Sequence, residues 1–344
     1  MRLIPLLVLA LSAARPALAL TADETFEMPS VAAASWLGTE ADAGILGLAG
    51  AGSATQAGLG AIGANPAGLG GLDSVQLGFS HQAFGDGFLA DRLAVGLPLA
   101  GGGVGIAADY LSFGSASNLV DDGAGNITDA GSINPKGLAV AAGYGRKLGS
   151  VSVGLALRSV SDDPDGAGFE TAFSGDLGLA WHDSSGLSVG TSLNQIGGTL
   201  FGSPMPTHGR LGLAYARGIT ENLRGMLALE QRVPTLDSNQ SSTHAGLAVK
   251  VGGKLDLRTG YEHLAAANQG YLRAGVGAEI GGYRLDYAFA AGEEGDASHL
   301  ISLGLNWDRV FGGPSANAPA QAAPLAAEPA TSGVSVDQVE VIQP

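Results

Sequence analysis

The feature that most constrains this chain is a two-residue alternation that recurs along it with almost no helical text between repeats. From Ser298 to Trp307, Ile301, Leu303, Leu305 and Trp307 fall on one face and Ser302, Gly304 and Asn306 on the other, the period of an extended strand. Tyr283, Leu285, Tyr287 and Phe289 oppose Arg284, Asp286 and Ala288 in the same way. Leu255, Leu257, Thr259 and Tyr261 oppose Lys254, Asp256, Arg258 and Gly260, while Val151, Val153, Leu155 and Leu157 oppose Ser152, Gly154, Ala156 and Arg158. Leu211, Leu213 and Tyr215 oppose Arg210, Gly212 and Ala214; Phe169, Phe173, Leu177, Leu179 and Trp181 oppose Glu170, Ser174, Asp176 and Gly178. In all these segments the charges sit opposite the large apolar residues.

Fourteen such segments can be counted, centred near residues 79, 94, 108, 142, 157, 176, 191, 212, 227, 246, 258, 275, 287 and 303. Their connections alternate between tight and roomy. Tight ones are Ala100 to Gly102, Gly149-Ser150, Asp183 to Ser185, Ile219 to Glu221, Gly252-Gly253 and Gly281-Gly282. Roomy ones include Ser115 to Pro135, Asp162 to Gly168, Gly198 to Pro204, Val233 to Gln240, Leu264 to Asn268 and Gly292 to Asp296. An even strand count with short turns on one rim and long loops on the other predicts an all-β fold, a 14-stranded antiparallel transmembrane β-barrel of the outer-membrane kind, with the short turns and both termini periplasmic. Aromatic residues fit the same register. Trp181, Tyr215, Tyr283 and Trp307 fall by the tight turns, and Phe84, Phe88, Tyr110, Phe169, Tyr261 and Phe289 fall toward the long loops. A soluble sheet this wide would need a second layer over its apolar face, and the segments supply no helices for one.

Composition narrows the function classes. Net charge is −15, which gives no electrostatic footprint for nucleic acid. Hydrophobic residues make up 45%, which excludes a disordered chain, and the absence of cysteine removes disulfides, thiolate metal sites and a lipidated cysteine. Residues 1–19 read as a secretory signal: Met1-Arg2, an apolar run from Leu3 to Leu11, and a small-x-small site at Ala17-Leu18-Ala19. Its removal takes Arg2 and Arg15, leaving 15 basic against 32 acidic side chains. Residues 20–72 precede the first strand in Ala/Gly-rich text and are expected to form an N-terminal hatch inside the barrel, which spans 73–311. Residues 312–344 are an Ala/Pro-rich segment expected to be a disordered periplasmic tail and a possible tether for a periplasmic partner.

The inward positions are mostly Gly, Ala and Ser, interrupted by Arg158, Arg210, Arg224, Glu230, Asp256, Arg258, Arg273, Glu279, Arg284 and Asp286. These arginines are expected to pair with the carboxylates and with the hatch, so that the lumen is occluded. Chemical motifs are nearly absent. The histidines at 81, 182, 208, 244, 263 and 299 never fall at ligand spacing, and no nucleophile elbow or triad context surrounds the serines. Asp121 to Asn126 lacks the alternate acidic positions and closing Glu of a calcium loop, and Gly50 to Thr55 is not a phosphate loop. No enzyme, metal or cofactor is expected, and the expected partner is outer-membrane lipid.

The phrase Asn65-Pro66-Ala67-Gly68-Leu69, set between Gly/Ala-rich text and the first strand, resembles the PorV/PorQ family of outer-membrane proteins, relatives of FadL-type transporters. Further matches follow in family order: Pro98-Leu99, Gly175 to Gly178, Leu193 to Gly197, Pro206 to Tyr215, Leu257 to Tyr261, Leu285 to Phe289 and His299 to Leu303. The resemblance implies a fourteen-strand barrel with a hatch, in which Asn65 and Pro66 cap and turn the entry. It also implies a non-enzymatic adaptor in protein secretion and surface attachment of the type IX kind, binding secreted proteins or secretion components through long extracellular loops. Two alternatives stay open: FadL-like passage of small hydrophobic compounds, and a structural barrel anchoring the envelope through its tail.

Overall fold

The computed structural model describes residues 32–312 apart from 56, 86, 122, 124, 125, 236–239 and 293–296. Alternation becomes a closed wall of fourteen antiparallel strands, each paired with its neighbours on both sides. The first three wall strands are β1 (Gln76–Ala83), β2 (Leu89–Leu99) and β3 (Gly102–Ser112). A small hairpin, β4 (Ala116–Asp121) with β5 (Ile127–Ile133), stands apart, and β3 pairs across it with β6 (Lys136–Leu148). The wall continues through β7 (Val151–Asp163), β8 (Glu170–His182) and β9 (Leu187–Ile196). A second hairpin, β10 (Thr199–Leu200) with β11 (Ser203–Pro204), is likewise bypassed, and β9 pairs with β12 (His208–Thr220). The remaining strands are β13 (Leu223–Pro234), β14 (Ser242–Val251), β15 (Leu255–Leu264), β16 (Gln269–Ile280), β17 (Tyr283–Ala291) and β18 (Ala297–Asn306). The wall closes where β1 meets β18, from Gln76 opposite Asn306 to Ala83 opposite His299.

All fourteen expected segments are wall strands, and the two hairpins lie in loops read from sequence as merely roomy. Large apolar side chains point outward into exposure: Leu93 is 63% exposed, Leu157 68% and Phe173 72%. A water-soluble protein hides such residues. A surface built this way is at equilibrium only against hydrocarbon, where a sheet must close on itself because nothing else satisfies its edge N–H and C=O groups. The fold is that of an outer-membrane β-barrel.

The inner face is lined by small residues, and the space they leave holds residues 32–72. This segment is built from one-turn pieces: a helix over Ala43–Leu46, another over Ala61–Ala64, and 3₁₀ turns at Ser35–Gly38, Gly58–Gly60 and Pro66–Gly71. Asp42 caps the first helix by accepting from the Ile45 N–H at 3.0 Å. Ile62, Leu69 and Leu72 pack on Ala107 and Ala141 of the wall, while Leu46 packs on Ala288, Ala290 and Leu300. Glycine permits the closest approaches. A Cβ at Gly154 would overlap the Pro66 backbone, and one at Gly178 would overlap the Asn65 side chain.

The described part of the segment starts by the long-loop rim, where the Ala33 N–H donates to the Pro204 carbonyl at 2.9 Å in the hairpin β10–β11. From there it crosses the lumen to Gly70, which lies against Arg146 and Lys147 beside the tight β6–β7 turn. The expected signal (1–19), the first part of the expected hatch (20–31) and all of the expected tail (312–344) but Gly312 lie outside the described residues.

Candidate functional site

The candidate site is the interface between the threaded segment and the polar inner wall. Arg210 and Glu230 occupy inward positions on adjacent strands and meet at 2.7 Å. Arg232, two residues further on and on the same face, reaches Glu230 at 3.1 Å and also pairs with Glu40 of the segment. Both guanidinium groups donate to the Gly50 carbonyl, Arg210 at 2.9 Å and Arg232 at 2.7 Å, while Glu230 accepts from the Ser53 N–H at 2.7 Å. His244 continues the arrangement. Its Nδ1 donates to the Ala49 carbonyl at 2.6 Å, which leaves Nε2 to accept from the Ser242 hydroxyl at 2.7 Å. Burial works against the Glu40 carboxylate, but Arg232 and Arg210 outweigh it and hold its pKa below the usual range.

A second cluster lies across the lumen. Arg258 pairs with Asp286 at 2.7 Å and with Asp256 at 3.2 Å, and Arg284 pairs with the same two carboxylates at 2.6 and 3.1 Å. Glu279 pairs with Arg284 at 3.6 Å and with Arg309 at 2.6 Å, toward the tight-turn rim. Asp42 hangs over this cluster; burial, with the neighbouring Asp286 charge, pushes its pKa up. The Ser302 hydroxyl accepts from the Ala43 N–H at 3.0 Å and fixes the helix start beside it.

The third cluster is Arg92, Asp109, Arg158 and Asp176. Asp109 lies between the two arginines, 3.3 Å from Arg92 and 3.6 Å from Arg158, and Arg158 continues to Asp176 at 3.3 Å. Arg273 pairs separately with Glu262 at 2.8 Å, and Arg224 sits half-buried near the tight-turn rim. Of the ten charged positions expected on the inner face, nine therefore enter described ion pairs, and two of them, Arg210 and Glu230, hydrogen-bond to the segment's backbone. Sequence reading placed Asp176 on the polar face without counting it among the inward charges, and passed over Glu40, Asp42, Arg92, Asp109 and Arg232. Arg232 and Asp176 share the inward phase of Glu230 and Ser174, so alternation carried the signal; nothing periodic marks Glu40 or Asp42.

Asn65 shows why its phrase reads as it does. Its side-chain amide donates to the Ser53 carbonyl at 2.9 Å and the Leu179 carbonyl at 3.1 Å, and its oxygen accepts from the Ala67 N–H at 3.1 Å. Pro66 opens the turn that follows, where its missing N–H costs nothing. Ala67 and Leu69 are fully buried.

Two features bear on passage through the barrel. A cleft between residues 36–45 and the wall has a cavity volume of about 50 Å³, room for a few water molecules. The wall itself is interrupted. Gly175 of β8 pairs with Ile196 of β9, yet Leu177 pairs with Leu193, so β9 carries a bulge at Asn194 and Gln195. Gln195 adopts φ +58°, and its N–H donates to Asp176 at 2.6 Å. Beyond Gly175 the outer half of β8 has no β9 partner, and the hairpin β10–β11 turns inward there instead. Leu200 and Met205 then join Ala139, Val160 and Ala172 in a buried apolar cluster against Trp36 and Leu37. Among the described residues no group of side chains is arranged to hold a metal ion.

No family model matches the chain, and no curated protein matches its sequence. Solved structures do match. The P. putida toluene transporter TodX shares 13% identity over 76% of this chain and 97% of its own, with a TM-score of 0.52. The monoaromatic hydrocarbon channel CymD shares 12% over 76% and 95%, also at 0.52. At such identities the likeness establishes a common barrel fold, and nothing in it bears on protein secretion.

Proposed function

We propose that this barrel passes small apolar molecules across the outer membrane, with the long-loop rim outward and the threaded segment controlling the way through. The observation that carries the reading is the break in the β8–β9 ladder beside the apolar cluster of Val160, Leu200 and Met205. An apolar solute gains nothing from a polar water-filled bore; it needs an apolar resting place and a side exit into hydrocarbon. A bulged strand next to a small inward hairpin supplies a place where the wall can part without breaking a full ladder. The names of the two similar barrels, a toluene transporter and a monoaromatic hydrocarbon channel, support the same solute class. The ion-paired segment supports occlusion at rest, since it packs on the inner wall through Ile62, Leu69 and Leu72 on one side and Leu46 on the other.

The test is uptake by proteoliposomes holding the purified barrel. Toluene should enter faster than into empty vesicles, while a sugar of similar mass should not. Equal entry of both, or porin-like conductance in a planar bilayer, would overturn the reading.

A further inference from the structure

Six arginines of the inner wall, Arg158, Arg210, Arg232, Arg258, Arg273 and Arg284, each donate to a carboxylate or a carbonyl. Among the described residues Arg92 donates to none. Its Nε lies 3.3 Å from Asp109 Oδ1, but the N–H is not aimed at the oxygen, so both atoms stay buried without a hydrogen bond. The Arg92 Nη2 has no partner either, nor has the Nε of Arg158. Bulk water does not serve them, since the Arg92 side chain is 11% exposed and that of Arg158 only 5%. N–H groups of a buried cation are costly to leave unmet, and a site that holds them so is built for something that arrives.

The place of these groups says what they would meet. Arg92 and Asp109 pair in register near the long-loop ends of β2 and β3, and with Arg158 they border the cleft between residues 36–45 and the wall. The same cleft is bordered by the apolar residues Trp36, Leu37, Ile45 and Leu300. Apolar surface around one polar corner is the composition of a small-molecule site. The far end of the Arg92 guanidinium reaches the threaded segment. A Cβ added at Gly63 would lie 3.4 Å from Nη1 and 3.7 Å from Nη2, with no other atom within 4 Å, so glycine there leaves the fork bare.

Charge and hydrogen bonding then select different ligands. Arg92 and Arg158 are balanced by Asp109 and Asp176, so an entering anion would meet two carboxylates. The hydrogen bonds of Arg92, Asp109 and Arg158 are not balanced: three donors are unmet against one acceptor, Asp109 Oδ1. A neutral oxygen supplies the missing acceptor without adding charge, and a bond to a cationic donor is among the stronger ones. We propose that the barrel prefers apolar solutes bearing one neutral oxygen acceptor, a ketone, aldehyde or ester, whose oxygen docks at Arg92 and Arg158. A plain hydrocarbon leaves all three donors unmet. The inference rests on the transport reading above and names the solute class within it.

Acetophenone and cumene differ in little but the carbonyl oxygen. Calorimetric titration of the full-length barrel in detergent, corrected for protein-free detergent, should show acetophenone bound about tenfold tighter than cumene. Arg92→Lys, which keeps the charge beside Asp109 and loses the edge carrying Nε and Nη2, should bring that ratio close to one. Gly63→Val, which covers the fork and leaves Arg92 in place, should do the same. Heat-modifiable gel migration checks that each variant folds. Equal binding of the two solutes by the wild type, a preference that survives both substitutions, or benzoate bound tighter than acetophenone would overturn the proposal. Uptake by proteoliposomes separates the two ideas. Toluene entry without any preference for acetophenone sinks only the solute class; Arg92-dependent binding of acetophenone with no entry of either compound upholds the site and sinks the transport reading.

Discussion

The Arg210 guanidinium donates to the Gly50 carbonyl at 2.9 Å, joining the barrel wall to the segment threaded through it. Neither partner stands alone, since Arg210 also holds Glu230 and lies 3.3 Å from Glu40. Buried pairs of this kind add little net stability while intact, but removing one partner strands the other. Arg210→Ala should therefore cost about 3–5 kcal/mol, because Glu230 and Glu40 are left to share the single guanidinium of Arg232. Thermal unfolding followed by gel migration should report that loss, and planar-bilayer recordings should show larger or more frequent openings. A variant as stable and as closed as the wild type would mean the latch is ornamental.

Asn65→Ala should loosen the other end of the segment. The substitution deprives the Ser53 and Leu179 carbonyls of a donor and the Ala67 N–H of an acceptor, all in buried surroundings. Leaving such groups unmet costs about 1–3 kcal/mol. Because these bonds join segment to segment and segment to wall, protease should cut residues 50–70 sooner in the variant, while the barrel strands stay protected. Simultaneous loss of protection in both would show instead that Asn65 serves barrel assembly.

The two acids of the segment should respond to pH in opposite senses. Glu40 has a lowered pKa in the folded barrel, so its contribution is complete above its unfolded value, about 4.3, and is lost as pH falls through the lowered one. Asp42 has a raised pKa, so the folded state keeps a proton that the unfolded chain releases above about 3.9, and stability falls as pH rises from there through the raised value. Asp42→Asn keeps an oxygen for the Ile45 N–H and removes the titration. Melting temperatures between pH 4 and pH 8 should show the variant gaining on the wild type as pH rises. A gap that stays constant across the range would refute burial of an ionisable Asp42.

The wall was legible because its physics is local. Leu303 and Leu305 must face lipid, Ser302 and Gly304 must not, and a period of two leaves no other arrangement. The path of residues 32–72 was not legible, because Gly and Ala carry no periodicity and their placement is decided by distant strands. Glu40 finds Arg232 across nearly two hundred positions, a pairing that no window of sequence reveals. The bulge at Gln195 was hidden for a similar reason: Leu193-Asn194-Gln195-Ile196 reads as ordinary strand, and only the buried Asp176 on the neighbouring strand, accepting the Gln195 N–H, turns it aside. The hairpin β10–β11 sits in text rich in glycine, where sequence marks a loop but not the direction in which it folds.

Asp176→Ala tests whether that bulge matters for passage. The carboxylate is buried and accepts the Gln195 N–H at 2.6 Å while pairing with Arg158 at 3.3 Å. Without it Gln195 loses the acceptor that makes its left-handed backbone tolerable, and Arg158 keeps only Asp109, at 3.6 Å. Removing the carboxylate should cost about 3–5 kcal/mol for the stranded arginine. Asp176→Asn, which keeps an oxygen for Gln195, should preserve the bulge at a smaller loss. If the interruption is the exit for apolar solutes, toluene uptake should change in Asp176→Ala well beyond any change in Asp176→Asn, with sugar entry unaltered in both. Matching uptake in the two variants would locate the exit elsewhere in the wall.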